Sequence, residues 1–360
     1  MTRRTHHTLR NRHAAARFAA TWLLLFSAYL PSLAQRELAT ISSVRSDSIL
    51  FLDRDITNLQ LFPLLVDQEV SPQPFALPKR PLPEAVAHWQ NEVAPHLNAV
   101  GSFGETTQSE GYTAVANLYE AASLWFATGE GAYIDAVEKA LFGALPATMF
   151  SSPDAVERAV AAQAMIDASQ IVYATDSLGL YVNFYLNTFA HIVTTQGQTY
   201  NVDISTTMPW GGMMKLRIRT PQQQAIPLTL RLRIPSWVDE APAIYVDGIE
   251  QDYTVERGYA LIHRTWKYYD EVYMLFNVVP KPTTLGGRTR WSGGPITYCM
   301  EDTACAPSQY DIELLGEDAM THHPVYALTT TQQADTTQLI LRPYMDLPPQ
   351  KRRIWHQQAE

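Results

Sequence analysis

The sequence predicts an α+β, multidomain fold in which a block of helices is followed by an antiparallel β-sandwich. Three observations carry this expectation. From Glu110 to Thr175 apolar residues recur at helical spacing, as in Ala114, Leu118, Ala121 and Trp125. From Leu180 onward the period drops to two, and short runs rich in Val, Ile, Leu, Tyr and Thr alternate with Gly, Pro and Asp turns. Hydrophobic residues make up 46% and charged residues 18% of the 360 positions, a globular balance large enough for a substantial core.

Taken in order, the chain opens on five arginines, Arg3, Arg4, Arg10, Arg12 and Arg17, ahead of an apolar run from Phe18 to Leu33 that ends Ser32-Leu33-Ala34. That is the pattern of a secretory signal peptide over residues 1–34, cut after Ala34, and it predicts a secreted or periplasmic protein. The run is shorter than the roughly 20 residues a membrane span needs, and Pro31 interrupts it, so no stable membrane insertion is expected after cleavage. Losing five arginines and no acids takes the formal charge from −9 to −14. So acidic a chain is a poor partner for nucleic acid or anionic membrane.

Residues 35–95 read as an irregular lead-in with a Pro-rich linker, SPQPFALPKRPLPEAV, in which Pro83 to Trp89 could open a short helix. Residues 96–178 form the helical block. Thr128-Gly129-Glu130-Gly131 is a helix stop and restart, with glycine free to take positive φ. Ser151-Ser152-Pro153-Asp154 reads as another start, with a capping hydroxyl, a proline in the first turn and an acid at the positive end of the dipole.

Residues 179–360 form the β region. The alternation is cleanest in Leu228-Thr229-Leu230-Arg231-Leu232-Arg233-Ile234, which predicts leucines toward the core and arginines toward solvent. Tyr245-Val246-Asp247-Gly248 is a strand entering a hairpin turn. Cys299 and Cys305 could pair in an exported protein, whereas the apolar run ITYCM marks Cys299 as a buried strand thiol. His191, His263, His322 and His323 all fall in the β region and read as surface or core residues. Trp210, Trp237, Trp266 and Trp355 read as core.

Several stretches together resemble glycoside hydrolase family 127, the β-L-arabinofuranosidases. In the helical block these are Glu110-Gly111-Tyr112-Thr113-Ala114-Val115-Ala116-Asn117, Thr128-Gly129-Glu130, Ser151-Ser152-Pro153 and Tyr173-Ala174-Thr175 with Leu180-Tyr181-Val182-Asn183. In the β region they are Pro209-Trp210-Gly211-Gly212, Leu230 to Trp237, Gly258-Tyr259 through Trp266, Gly294 to Glu301, and Leu341-Arg342-Pro343-Tyr344 with Arg353-Ile354-Trp355. The resemblance implies that the helical block is part of an (α/α) toroid. The chain ahead of Glu110 has room for only part of such a series of hairpins, so self-association or a partner chain completing the toroid is expected.

The resemblance also implies a cysteine nucleophile held on zinc by three cysteines and a glutamate, with a second glutamate as acid/base. Zinc keeps a thiol deprotonated, and the reaction then runs through a glycosyl-enzyme intermediate. Carried over position by position, the zinc-ligand glutamate is Glu110, the cysteine two residues on is Tyr112, and the pair holding the nucleophile is Ser151-Ser152. Glu105 matches the acid/base, or is an exposed loop carboxylate. With a phenol and two hydroxyls for three thiolates, no zinc and no other cofactor are expected. The expectation is therefore an exported, carbohydrate-active protein, catalytically degenerate, with an arabinose-containing glycan as partner. The alternatives are a glycoside hydrolase working without zinc through Glu105 and Glu110, and a non-catalytic β-sandwich module that binds sugar or another protein.

Overall fold

The computed structural model describes residues 37–38, 77–104, 110–176, 179–193, 198–220, 225–300, 305–307, 309–332 and 335–358. The chain divides into two compact units, residues 1–35 and 36–360, and every described residue lies in the second. The expected signal peptide and most of the lead-in therefore lie outside the described residues, as does Glu105.

The helical block begins with α1 (Leu82–His88), extended by a π-helical turn (Trp89–Val93) and a 3-10 turn (Ala94–His96). Then come α2 (Glu110–Thr128), α3 (Gly131–Leu141), α4 (Ala144–Ser151) and α5 (Ala155–Ser169). Gly129 ends α2 at φ 72°, with its N–H donating to the Trp125 carbonyl, as the Thr-Gly-Glu-Gly reading requires. The small residues Ala114, Ala121, Ala136, Ala140, Ala161 and Ala168 are all buried and let these helices pack closely.

Three sheets follow. The first runs β1 (Glu37–Leu38), β2 (Tyr173–Thr175), β3 (Gly179–Val182), β7 (Ile226–Arg233), β11 (Tyr259–Trp266) and β10 (Thr254–Glu256). The second runs β4 (Thr188–Val193), β5 (Thr199–Thr206), β6 (Met213–Arg219), β12 (Glu271–Leu275), β8 (Ile244–Val246) and β9 (Ile249–Glu250). The third runs β16 (Cys305–Ala306), β20 (His356–Gln358), β14 (Arg288–Gly293), β15 (Ile296–Met300), β19 (Asp335–Pro343), β18 (Pro324–Gln332) and β17 (Asp311–Glu317), with β13 (Lys281–Leu285) also paired to β14. Most pairs are antiparallel, but β3 lies parallel to β7 and β16 parallel to β20. The β8–β9 hairpin turns through Asp247 and Gly248, both at positive φ, as its sequence predicts.

One finding reverses the sequence reading. On β7 the leucines are buried, but so are the arginines: Arg231 is 7% and Arg233 0% exposed. This strand sits inside the sheet between β3 and β11, and α3 brings carboxylates to its second face. Arg233 donates to Asp135 at 2.5 Å, to Glu138, and through Nε to the Asn183 carbonyl at 2.6 Å. Arg231 pairs with Asp176 at 3.2 Å and lies over the Tyr181 ring. Alternation in a strand reports two different faces; it does not report that one is wet.

The same face carries a second polar joint between helices and sheet. Trp125 Nε1 donates to the Tyr259 hydroxyl at 2.8 Å, and that hydroxyl donates to Asn183 Oδ1 at 2.6 Å, all in the core. Removing the hydroxyl strands one donor and one acceptor, so Tyr259→Phe should cost about 1.5 kcal/mol, read as a shift in the denaturant midpoint. An unchanged midpoint would mean that the joint contributes nothing net. A single hydrophobic cluster runs from α1 through all three sheets, so helices and strands share one core.

Candidate functional site

The residues singled out by sequence meet where the start of α2 touches the α4–α5 corner and the C-terminal segment. Glu110 opens α2, where a negative charge suits the helix dipole, yet it is only 5% exposed. Both its carboxylate oxygens accept from the Tyr344 hydroxyl, at 2.7 and 2.8 Å. Next to it Gly111 has no Cβ for a reason: one would meet Thr148 Cγ2 at 2.5 Å, so glycine lets α2 start against α4. The Gly111 N–H donates to Glu157 Oε1 at 3.0 Å.

Ser151 and Ser152 close α4 and do not open α5. The N-cap of α5 is Asp154, which accepts from the Val156 N–H at 2.8 Å. The expected serine cap is therefore displaced by three and two residues, because a carboxylate two positions before Val156 reaches its N–H directly. Ser151 Oγ instead donates to the Ala147 carbonyl at 2.6 Å and accepts from Arg352 at 2.8 Å. Ser152 Oγ donates to Glu157 Oε2 at 2.5 Å. Tyr112 is exposed, and its hydroxyl donates to Asp154 at 3.0 Å. Arg352 also donates to the Ala147 and Leu347 carbonyls and lies over the Tyr344 ring, 5.3 Å from its centroid.

Burial sets the electrostatics. It pushes the Glu110 carboxyl above the ordinary glutamate value, while the Tyr344 hydroxyl and the Arg352 charge pull the other way. Burial, then the Glu110 charge, lifts the Tyr344 phenol above its usual range, and burial lowers Arg352. Cys299 is a free, fully buried thiol on β15, and burial pushes it up to about 12. It stays protonated near neutrality and supplies no thiolate.

These donors do not fit zinc. The one carboxylate at the implied ligand position has both oxygens hydrogen-bonded, the three implied thiolates are a phenol and two hydroxyls, and a guanidinium occupies the joint. Neutral hydroxyls are poor zinc ligands, and a fixed cation repels a second one. Among the described residues no three His, Cys, Asp or Glu side chains are grouped to hold a metal ion.

Glu157, Tyr344 and Arg352 were not identified from sequence as site residues. Asp154-Ala155-Val156-Glu157 has the spacing of a capping box, a local signal for Glu157. No local signal exists for Tyr344, which lies 234 residues from Glu110. Of the histidines, His323 is buried against Asp346 at 2.9 Å and stacks on Trp210, so it belongs to packing; His322 is exposed. Trp266 is fully buried, while Trp210, Trp237 and Trp355 are partly buried against the core.

The fold so described, helices backed onto layered β-sheets, is that of glycoside hydrolase structures. A GH127 β-arabinofuranosidase superposes with a TM-score of 0.64 at 19% identity, covering 75% of this chain and 55% of that one. A GH127 β-L-arabinofuranosidase from Geobacillus stearothermophilus gives 0.65 at 17% identity, covering 75% and 56%. A structure described as a glycoside hydrolase gives 0.59 at 15%, covering 72% and 54%. The chain spans about half the length of these structures. More particularly, residues 179–278 match the family model for the GH127 middle domain of β-L-arabinofuranosidases, and the protein is GH127-like. No curated protein matches the chain by sequence.

Proposed function

We propose that this GH127-like protein is an exported, carbohydrate-binding relative of the β-L-arabinofuranosidases that does not hydrolyse arabinofuranosides. One observation carries the reading: at every position where the family resemblance calls for a thiolate, the side chain is a neutral hydroxyl already donating its proton to a protein acceptor. Tyr112 donates to Asp154, Ser151 to the Ala147 carbonyl and Ser152 to Glu157. Among the described residues none of the three has a histidine as hydrogen-bond partner to act as base, and serine is a weak nucleophile without one. A zinc-free route through paired carboxylates requires both to face one sugar. Glu110 is instead buried, with its oxygens turned to Tyr344.

Loss of the thiolates leaves sugar binding as the retained property, and an arabinose-containing glycan is the ligand class that the family likeness favours. Among the described residues no helix is long and apolar enough to cross a membrane. A helical block that forms part of a larger toroid would leave helix faces to be covered by a second copy or a partner chain.

The test is release of p-nitrophenol from p-nitrophenyl arabinofuranosides by the purified chain, with and without added zinc, beside binding to a glycan array. No release under either condition, with array signal on arabinose-containing glycans, is the expected result. Zinc-dependent release would overturn the reading by showing a working metal site. Zinc-independent release would overturn it in favour of carboxylate catalysis.

A further inference from the structure

A cleft of about 300 Å³ lies apart from the Glu110 joint and shares none of its residues. One wall is α3, which contributes Asp135, Glu138 and Lys139. The facing wall is the β13–β14 pair. There Lys281 lies opposite Ser292 and Thr283 opposite Arg290, so these four share one face of the ribbon while Trp291 is buried on the other. Trp237 also lines the cleft.

Each carboxylate that lines this cleft already has a cationic partner. Arg233 reaches in from β7 to take up both Asp135 and Glu138, and Lys281 pairs with Asp239 at the rim. Lys139 and Arg290 remain. Neither has a carboxylate within ion-pair distance among the described residues, and Arg290 Nε is buried with no acceptor. The only described partner of Arg290 is the Trp355 ring, 5.3 Å away. The lining itself carries three cations, Lys139, Lys281 and Arg290, and three carboxylates, Asp135, Glu138 and Asp239, but Arg233 behind the wall already takes up two of the carboxylates. Burial pushes the Lys139 amine below the ordinary lysine value, against the pull of Asp135 and Glu138 and with the push of Arg290, and burial lowers Arg290 as well. Two half-buried cations with no ion-pair partner among the described residues are costly unless an anion joins them.

We propose that this cleft binds the carboxylate of an acidic sugar, with Lys139 and Arg290 as its cationic partners and Trp237 as a surface for the sugar ring. Arginine offers two parallel donors to one carboxylate, and the lysine amine adds a third. The Ser236, Thr283 and Ser292 hydroxyls along the walls suit the ring hydroxyls of a sugar, and the volume suits one or two sugar units. This goes beyond the proposed function: it concerns a different site, and it stands whether or not arabinofuranosides are hydrolysed.

The experiment is calorimetric titration of the purified full chain with galacturonate, galactose and sulfate, repeated on Lys139→Met and Arg290→Gln. Galacturonate should bind; galactose should bind at least about tenfold more weakly, since it lacks the charged hydrogen bonds, and sulfate, which keeps the charge but has no ring for Trp237 and the wall hydroxyls, should also bind at least about tenfold more weakly. Each substitution should weaken galacturonate by about tenfold or more, and Arg290→Lys, which keeps the charge, should lose less than Arg290→Gln. Galactose binding as tightly as galacturonate would overturn the role of the cations. Sulfate binding as tightly would reduce the cleft to an anion site with no sugar contact, which also overturns the proposal. Absence of galacturonate binding, or binding unchanged in both neutral variants, would overturn it outright. If a neutral variant fails to fold, the three-ligand comparison on the unaltered chain still decides.

Discussion

Arg233→Met is expected to destabilise the fold by about 3–5 kcal/mol, the range seen when one partner of a buried ion pair is removed. The side chain is fully buried, and it is the shared counter-ion of two carboxylates on α3. Its Nε also holds the Asn183 carbonyl, and Asn183 in turn joins the Tyr259 hydroxyl to the Ile171 carbonyl. Methionine fills similar space but leaves Asp135 and Glu138 without their cation. Among the described residues the remaining hydrogen-bond donors are weaker, the Trp237 Nε1 bonded to Glu138 and the Ser236 N–H bonded to Asp135. The triple variant Arg233→Met, Asp135→Asn, Glu138→Gln should recover much of the loss, because the dominant cost is an unpaired buried charge and not a missing attraction. Urea unfolding of the three proteins measures this. A single variant that loses under about 1 kcal/mol, or a triple as unstable as the single, would refute the assignment of Arg233 as the joint between helices and sheet.

Tyr344→Phe should cost about 2–3 kcal/mol near neutral pH, because it strips a buried carboxylate of its hydroxyl donor. The sign of the pH dependence follows from Glu110. Burial raises its folded pKa above the ordinary 4.5. Below the ordinary value both folded and unfolded chains carry the proton, and the stability is fully present. As pH rises toward and through the folded value, the unfolded chain releases the proton first, so stability is lost across that window. Glu110→Gln cannot titrate, so its stability relative to the unaltered chain should improve between about pH 4.5 and about pH 7. Tyr344→Phe removes a group that lowers the Glu110 pKa, so its cost should be smaller at acid pH, where Glu110 is neutral, than at neutral pH. Denaturant midpoints at the two pH values decide it. An equal cost for Tyr344→Phe at both would show that Glu110 does not titrate against that hydroxyl.

Much of the secondary structure was legible from local chemistry. The helix break at Gly129, the start of α2 at Glu110 and the Asp247-Gly248 hairpin each depend on a few neighbouring residues and are found where the pattern puts them, and the short helix read over Pro83 to Trp89 is found at Leu82–His88, one residue earlier. The α5 start was misplaced onto the serines because hydroxyls and carboxylates both cap helices, and only the geometry shows that Asp154 reaches the Val156 N–H. The arginines of β7 were misread for a deeper reason. Period-two patterning distinguishes the faces of a strand, but whether a polar face meets water or the carboxylates of a helix depends on what packs over it.

For the candidate site the division is the same. By itself the sequence determined which chemistry is present: Glu110, Tyr112, Ser151 and Ser152 carry a carboxylate, a phenol and two hydroxyls wherever they sit. Side-chain chemistry is a property of the residue. Only the tertiary structure decided that Glu110 is buried beneath Tyr344, that Arg352 takes up Ser151, that Glu157 links Ser152 to the start of α2, and that Lys139 and Arg290 share a cleft with no ion-pair partner among the described residues. Those relations join segments up to 234 residues apart. They are set by which buried surfaces pack together across the whole chain, and no local spacing encodes them.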